Sequence, residues 1–415
     1  MIAQTPPMGW NSWDCYGAAV TEETVRQNAQ YMARRLKAFG WEYIVVDIQW
    51  YQPTAVNHAY IPFAELTMDE HGRLQPAPGR FPSAADGQGF KPLADYVHSL
   101  GLKFGIHIMR GLPRMAAHRH LPIADSGFCC DEAADPNSVC AWNPDMYGTF
   151  ADRPAARAWY DSIFRQYAEW GVDYVKCDDI AREYPHCRRE IEIISGACRN
   201  CGRDIVLSLS PGPAPLEQAE HLKKYANLWR ITDDFWDEWR LLKGMFERAE
   251  KWCVHAAPGH WPDADMLPIG ALRQCEDPSG WTRFTVPELR TMMTLWCMMR
   301  SPLMIGGELT RMDAVSLDLL TNASVLEILT ATAGAHPLTT TGEESVWVTR
   351  RTDGKGLYCA LFNLSDAPRT VGADLVSLQT RAATAAELWS GRTVALQGRL
   401  EVTLQPHDAA VFLLS

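Results

Sequence analysis

A chain of 415 residues with 47% hydrophobic content can bury a barrel-sized core plus an accessory module, which excludes a disordered protein. Its 39 basic and 50 acidic residues leave a net charge of −11. With no basic run, that balance argues against nucleic acid or an anionic membrane as the main partner.

The chain opens Met1-Ile2-Ala3-Gln4-Thr5-Pro6-Pro7, without a basic start or an apolar h-region. Strand-like runs then fall at 7–13, 43–49, 103–109, 172–179, 204–211, 228–234, around 263–267, and at 302–308, with helix-like segments between them. In the first of these helices Thr21 is the expected N-cap, Val25, Ala29, Met32 and Leu36 follow at helical spacing, and Gly40 ends it. A helix over 155–170 precedes the fourth strand and stops at Gly171. Eight strands alternating with helices predict an α/β fold, a (β/α)8 TIM barrel, over residues 1–333. From 334 to 415 the texture becomes short strands with turn signals, at 345–349, 357–363, 386–389, 400–404 and 410–414. That pattern predicts a small C-terminal antiparallel β-sandwich.

The run Leu295-Trp296-Cys297-Met298-Met299, closed by Arg290 and Arg300, is far too short to span a bilayer. The expected location is cytoplasmic, with the twelve cysteines as reduced thiols. Cys198 and Cys201 have CxxC spacing but no second pair at zinc-ribbon distance. Cys129, Cys130 and Cys140 sit in an irregular loop whose role the sequence leaves open between a local site and none, and no metal site is expected on the CxxC spacing.

Polar or aromatic residues recur at the strand ends: Trp10 and Trp13, Asp47, His107, Lys176 and Asp178, Ser208 and Ser210, Arg230 and Asp234, Asp263 and Asp265. One buried Asp is usually a satisfied structural group. A recurrence at successive strand ends points to a pocket at the C-terminal face of the barrel. Strand side chains alternate, so Tyr174, Lys176 and Asp178 share one face, as do Arg230, Thr232 and Asp234. Two strand-end acids are what glycoside hydrolysis requires. Asp178 is then a nucleophile kept ionised by Lys176, and Asp234 an acid/base whose pKa burial would raise. The plainer readings are a Lys–Asp pair that only fixes the barrel and a helix cap. Spacing alone does not separate Asp178 from Asp179 or Asp234 from Asp233; alternation favours the first of each pair. Sixteen Trp lean the same way, because aromatic faces pack on pyranose rings, although most will fill the core.

At these residues the chain resembles glycoside hydrolase family 27, the melibiase or α-galactosidase family. The resemblance rests on Pro7-Met8-Gly9-Trp10-Asn11-Ser12-Trp13, Arg80-Phe81-Pro82, Trp170-Gly171-Val172-Asp173 and Gly259-His260-Trp261-Pro262-Asp263-Ala264-Asp265-Met266-Leu267. It implies a retaining, exo-acting hydrolase of terminal α-D-galactosyl-type residues, with Asp178 as nucleophile and Asp234 as acid/base. Trp13, Asp47, Lys176, Arg230 and Asp265 would line the terminal-sugar subsite. It implies no cofactor, metal or organic, and an oligosaccharide or glycoside as partner; a homo-oligomer stays open.

The departures fall in the sugar pocket. The family's second adjacent Asp after strand two is Ile48 here, its Tyr after strand three is His107, and its Glu after strand five is Ser210. The family's Cys two residues past the nucleophile is Ile180, which removes a disulfide. Ile48 suits a sugar lacking C6, L-arabinopyranose. Ser210 resembles the α-N-acetylgalactosaminidase branch. Both sugars therefore stand beside galactose, and a catalytically inactive carbohydrate-binding barrel or a metal-dependent hydrolase stands as a reading of another class.

Overall fold

The computed structural model describes residues 2–184 and 186–415. Eight parallel strands follow one another around a barrel: Met8–Asn11, Tyr43–Val46, Lys103–Met109, Tyr174–Asp178, Val206–Leu209, Leu228–Arg230, Trp261–Asp263 and Leu303–Ile305. Seven of the eight expected runs contain an observed strand. The seventh differs: the hydrogen-bonded strand is Trp261–Asp263, and Asp265 at φ 79° turns the chain out of the extended region. Leu267 then makes the bridge to the eighth strand, donating to Met304 O (2.7 Å) and accepting from Gly306 N–H (2.9 Å).

The interior-facing residues explain where a pocket can form. Tyr43, Val45, Tyr174, Val206, Leu228, Trp261 and Met304 pack together as a plug in the lower barrel. Gly9 and Gly105 make room for it: a Cβ on Gly9 would lie 2.5 Å from Tyr43 O, and one on Gly105 2.9 Å from Tyr174 Cβ. Two residues further along five of these strands the same face becomes polar, at Asp47, Lys176, Ser208, Arg230 and Asp263. The opposite face, including Ile44, Val46, Phe104, Ile106, Val175 and Leu207, packs on the helices.

Local signals set the helices. Thr21 accepts from Thr24 N–H in a reciprocal capping box that starts Glu22–Arg35. Gly171 at φ 81° closes Pro154–Trp170. The apolar stretch 314–331 is broken into Ala314–Leu320 and Ala323–Ala331, with Asn322 capping the second piece.

The connection after the second strand, 47–81, forms no helix or strand beyond a Met68–Leu74 bridge. The buried Arg80 guanidinium pins its base by donating to the carbonyls of Gln49 and Gln52 (2.8 Å each), Val20 (2.6 Å) and Ala18. The connection after the third strand folds into a small sheet of Leu112–Pro113, Met146–Thr149 and Ala134–Val139.

The C-terminal module is a sandwich of a six-stranded sheet and a two-stranded ribbon, Arg369–Asp374 with Arg399–Leu404. Its first strand, Thr332–Thr340, begins two residues before the boundary expected at 333/334. That strand and Arg369–Asp374 are interrupted by Gly, Pro or Asp, and the three-residue Thr393–Ala395 is exposed throughout, so none shows the apolar alternation that marks a strand. The two modules share one core: Phe246 packs edge-on against Phe362, and Trp239 stacks on His407 at 3.8 Å. Arg290 pairs with Asp408 (2.6 Å), and Trp389 Nε1 donates to Thr294 Oγ1 (3.0 Å).

Candidate active site

The C-terminal mouth of the barrel opens into a cavity of about 310 Å³. That is enough for one small ligand. Trp13, Asp47, Ile48, Lys176, Asp178, Arg230, Asp234 and Asp265 all line it.

Asp178 ends the fourth strand. Its Oδ2 accepts from His107 Nε2 (2.9 Å) and its Oδ1 from Asp179 N–H (3.0 Å). Burial alone would raise the pKa of this carboxyl. The His107 hydrogen bond and the Lys176 charge outweigh it and hold the pKa well below the usual carboxylate range. The neighbouring Asp179 sits at φ 59° and turns away to Arg110 (3.0 Å).

Lys176 helps to keep Asp178 ionised through its charge, as their shared strand face predicts, but its ion pair is made elsewhere. Its ammonium meets Asp47 Oδ2 at 2.9 Å, and Asn11 Nδ2 donates to the same oxygen at 2.7 Å. Burial would raise Asp47, but Lys176 lowers it; Lys176 in turn is raised against burial by Asp47 and Asp178.

Asp234 lies on the loop after the sixth strand, which ends at Arg230, so strand alternation does not extend to it. Its side chain is 62% exposed, so the burial expected for it is not found. Arg230 Nη2 ties it (3.2 Å) to Asp265 (2.6 Å). Asp265 also accepts from Phe235 N–H (2.7 Å). Its pKa is pushed up to about 7 by burial, which Arg230 opposes and Asp234 and Asp263 reinforce. Asp233 pairs instead with Arg182 (3.0 Å).

Two residues expected in the sugar subsite sit outside the cavity lining. His107 is fully buried behind Asp178 because its ring fills the space under that carboxylate. Ser210 is buried with no partner for its hydroxyl, and Pro211 reaches the cavity in its place.

Asp14, Tyr60, Trp142, Arg182, Trp236 and Met266 also line the cavity and were not foreseen. Asp14 follows Trp13, and Trp236 follows Asp234 by two, so adjacency was an available signal for both. Tyr60 and Trp142 come from irregular connections, where no periodicity marks them. Asp14 is buried, its Oδ2 has no partner, and burial with the charge of Asp265 pushes its pKa well up. Among the described residues no group of three or more His, Cys, Asp or Glu is placed to hold a metal ion.

The chain matches the family described as alpha galactosidase A over residues 5–119 and 143–330. Residues 341–414 match the alpha galactosidase C-terminal beta sandwich domain. A β-L-arabinopyranosidase structure from Geobacillus stearothermophilus is 50% identical, covering 100% of this chain and 97% of that one, with a TM-score of 0.97. A Bacillus halodurans structure, provisionally assigned as an α-N-acetylgalactosaminidase, is 47% identical over 100% of this chain and 98% of its own, with a TM-score of 0.89. An α-galactosidase of Coffea arabica is 30% identical over 421 residues, 100% of this chain and 94% of the relative.

Proposed function

The chain belongs to the alpha galactosidase A, or melibiase, family and is a glycoside hydrolase of family 27. From that premise we propose a retaining exo-glycosidase that releases terminal β-L-arabinopyranosyl residues in preference to α-D-galactosyl ones. The two sugars share one ring configuration and differ by the hydroxymethyl group at C5.

In this reading Asp178 attacks the anomeric carbon as the bond to the leaving oxygen breaks, and Asp234 gives that oxygen its proton. A glycosyl ester on Asp178 results. Asp234, now a carboxylate, takes a proton from the water that cleaves the ester and is restored. The His107 bond favours this chemistry by keeping Asp178 ionised. The Asn11–Asp47–Lys176 and Arg230–Asp265 pairs present fixed, charged hydrogen-bonding groups to the ring hydroxyls.

Ile48 carries the choice of sugar. It lines the cavity as an apolar wall beside Asp47. A galactose hydroxymethyl set against it would lose a hydrogen-bond partner, at a cost of about 1–3 kcal/mol. Arabinopyranose has no such group. The feature that favoured N-acetylgalactosamine is weaker, since Ser210 does not reach the cavity.

The deciding experiment compares kcat/KM for the 4-nitrophenyl β-L-arabinopyranoside, α-D-galactopyranoside and N-acetyl-α-D-galactosaminide. The arabinopyranoside should lead by roughly ten- to hundredfold. A galactoside hydrolysed equally well or better would remove the sugar assignment. All twelve cysteines are unpaired, which supports a reducing, cytoplasmic location as part of the same proposal.

A further inference from the structure

Four carboxyls that meet the cavity already have partners. Asp47 is held by Lys176 and Asn11, Asp178 by His107 and the Asp179 N–H, and Asp234 and Asp265 share Arg230. Asp14 lines the same cavity on other terms. It is 3% exposed, and among the described residues its Oδ2 has no hydrogen-bond partner and its carboxyl no ion pair.

The fold clamps this carboxyl without bonding to it. Asp14 belongs to the one-turn helix Trp13–Tyr16 that follows the first strand, and its main-chain carbonyl accepts from Arg273 N–H at 2.8 Å. The Arg273 guanidinium turns instead to Asp237 (3.2 Å). Just past the eighth strand stands Gly306, where any Cβ would fall on Asp14 Oδ2. Lacking one, the chain closes over that oxygen.

The charged groups facing Asp14 come from four other parts of the barrel mouth: Asp265, Lys176, Asp234 and Asp47. Burial raises its pKa first, and the three acids add to that. Lys176 opposes them from its pairing with Asp47. A buried carboxyl that receives no donor is more stable with its proton on. It then presents an O–H in a cavity whose two buried cations, Lys176 and Arg230, already serve carboxylates.

We propose that Asp14 binds the terminal sugar as a neutral acid, giving its O–H to an oxygen of the sugar. This deepens the glycosidase reading above and rests on it. No protein group bonds the Asp14 carboxyl, so its acceptor is supplied by what fills the cavity, and a sugar brings several hydroxyl oxygens.

The test compares wild type, Asp14→Leu and Asp14→Asn on whichever aryl glycoside the wild type hydrolyses fastest, near neutral pH. Leucine fills nearly the same space without a polar atom. In Asp14→Leu kcat/KM should fall about tenfold for the lost hydrogen bond. Its thermal unfolding midpoint should equal or exceed that of the wild type, because an unsatisfied buried acid has been removed. Asp14→Asn keeps a neutral donor and should recover most of the activity. Wild-type kcat/KM in Asp14→Leu overturns the proposal, as does an Asn variant no better than Leu, which would mean that the charged carboxylate is what acts. Wild-type inactivity on every aryl glycoside would instead remove the glycosidase reading, and this inference with it.

Discussion

Lys176 and Asp178 stand on one face of one strand, yet the lysine's ion pair is with Asp47, 2.9 Å away just past the end of another strand. The base of the pocket is therefore knit across strands, and the nucleophile's direct partner is His107. Removing Asp47 would free the Lys176 ammonium to move toward Asp178. In Asp47→Ala, KM should rise and the acid limb of kcat should move to lower pH, both read from one pH–rate series.

Asp178→Asn should abolish turnover of aryl β-L-arabinopyranosides, with kcat down at least ~10³-fold. Thermal unfolding of the variant should stay near wild type. Wild-type-like activity would remove the nucleophile assignment.

Asp234→Ala should lower kcat/KM by about 10²–10⁴-fold on substrates whose leaving group needs a proton. The loss should shrink sharply on a glycosyl fluoride. Equal losses on both would show that Asp234 does not act on the leaving oxygen.

His107→Leu should raise the pKa of Asp178 by deleting the hydrogen bond that favours its ionised form. The acid limb of kcat/KM should then move upward by about one pH unit. His107→Gln keeps a donor and should move it less. A carboxyl held lower in the folded than in the unfolded chain adds stability above its unfolded pKa, near 3.9, and loses it as pH falls toward the folded value. The mutant should therefore show a smaller loss of stability below about pH 4 in acid titrations followed by circular dichroism.

Ile48→Asp should restore a partner for a hydroxymethyl group and shift the galactoside-to-arabinopyranoside ratio of kcat/KM by roughly ten- to hundredfold toward galactose. No shift would mean that Ile48 does not face C5 of the bound sugar.

Much of this was legible in the chain. Period-two runs ending in Asp47, Lys176–Asp178 and Arg230 placed the barrel and its polar mouth, because interior strand positions must change from apolar to polar at the end that meets solvent. The seventh strand was misplaced because a single left-handed residue, Asp265, detaches the Leu267 bridge from the strand before it. Ion-pair partners were not legible: Lys176 could reach either acid, and only the register of the second, third and fourth strands decides for Asp47. His107 and Ser210 have the right parity to face inward, but parity does not tell whether a neighbour stands in front. Tyr60 and Trp142 lie in connections held by carbonyl contacts to Arg80 and by a small side sheet, and neither leaves a periodic trace.

The stacking of Trp239 on His407 and the pairing of Arg290 with Asp408 have a practical corollary for protein engineering. Expressed alone, residues 1–333 would carry a naked hydrophobic flank around Phe246, and such a fragment should precipitate. Directed evolution of the catalytic end therefore has to keep the terminal eighty or so residues in place, however remote they are from the chemistry.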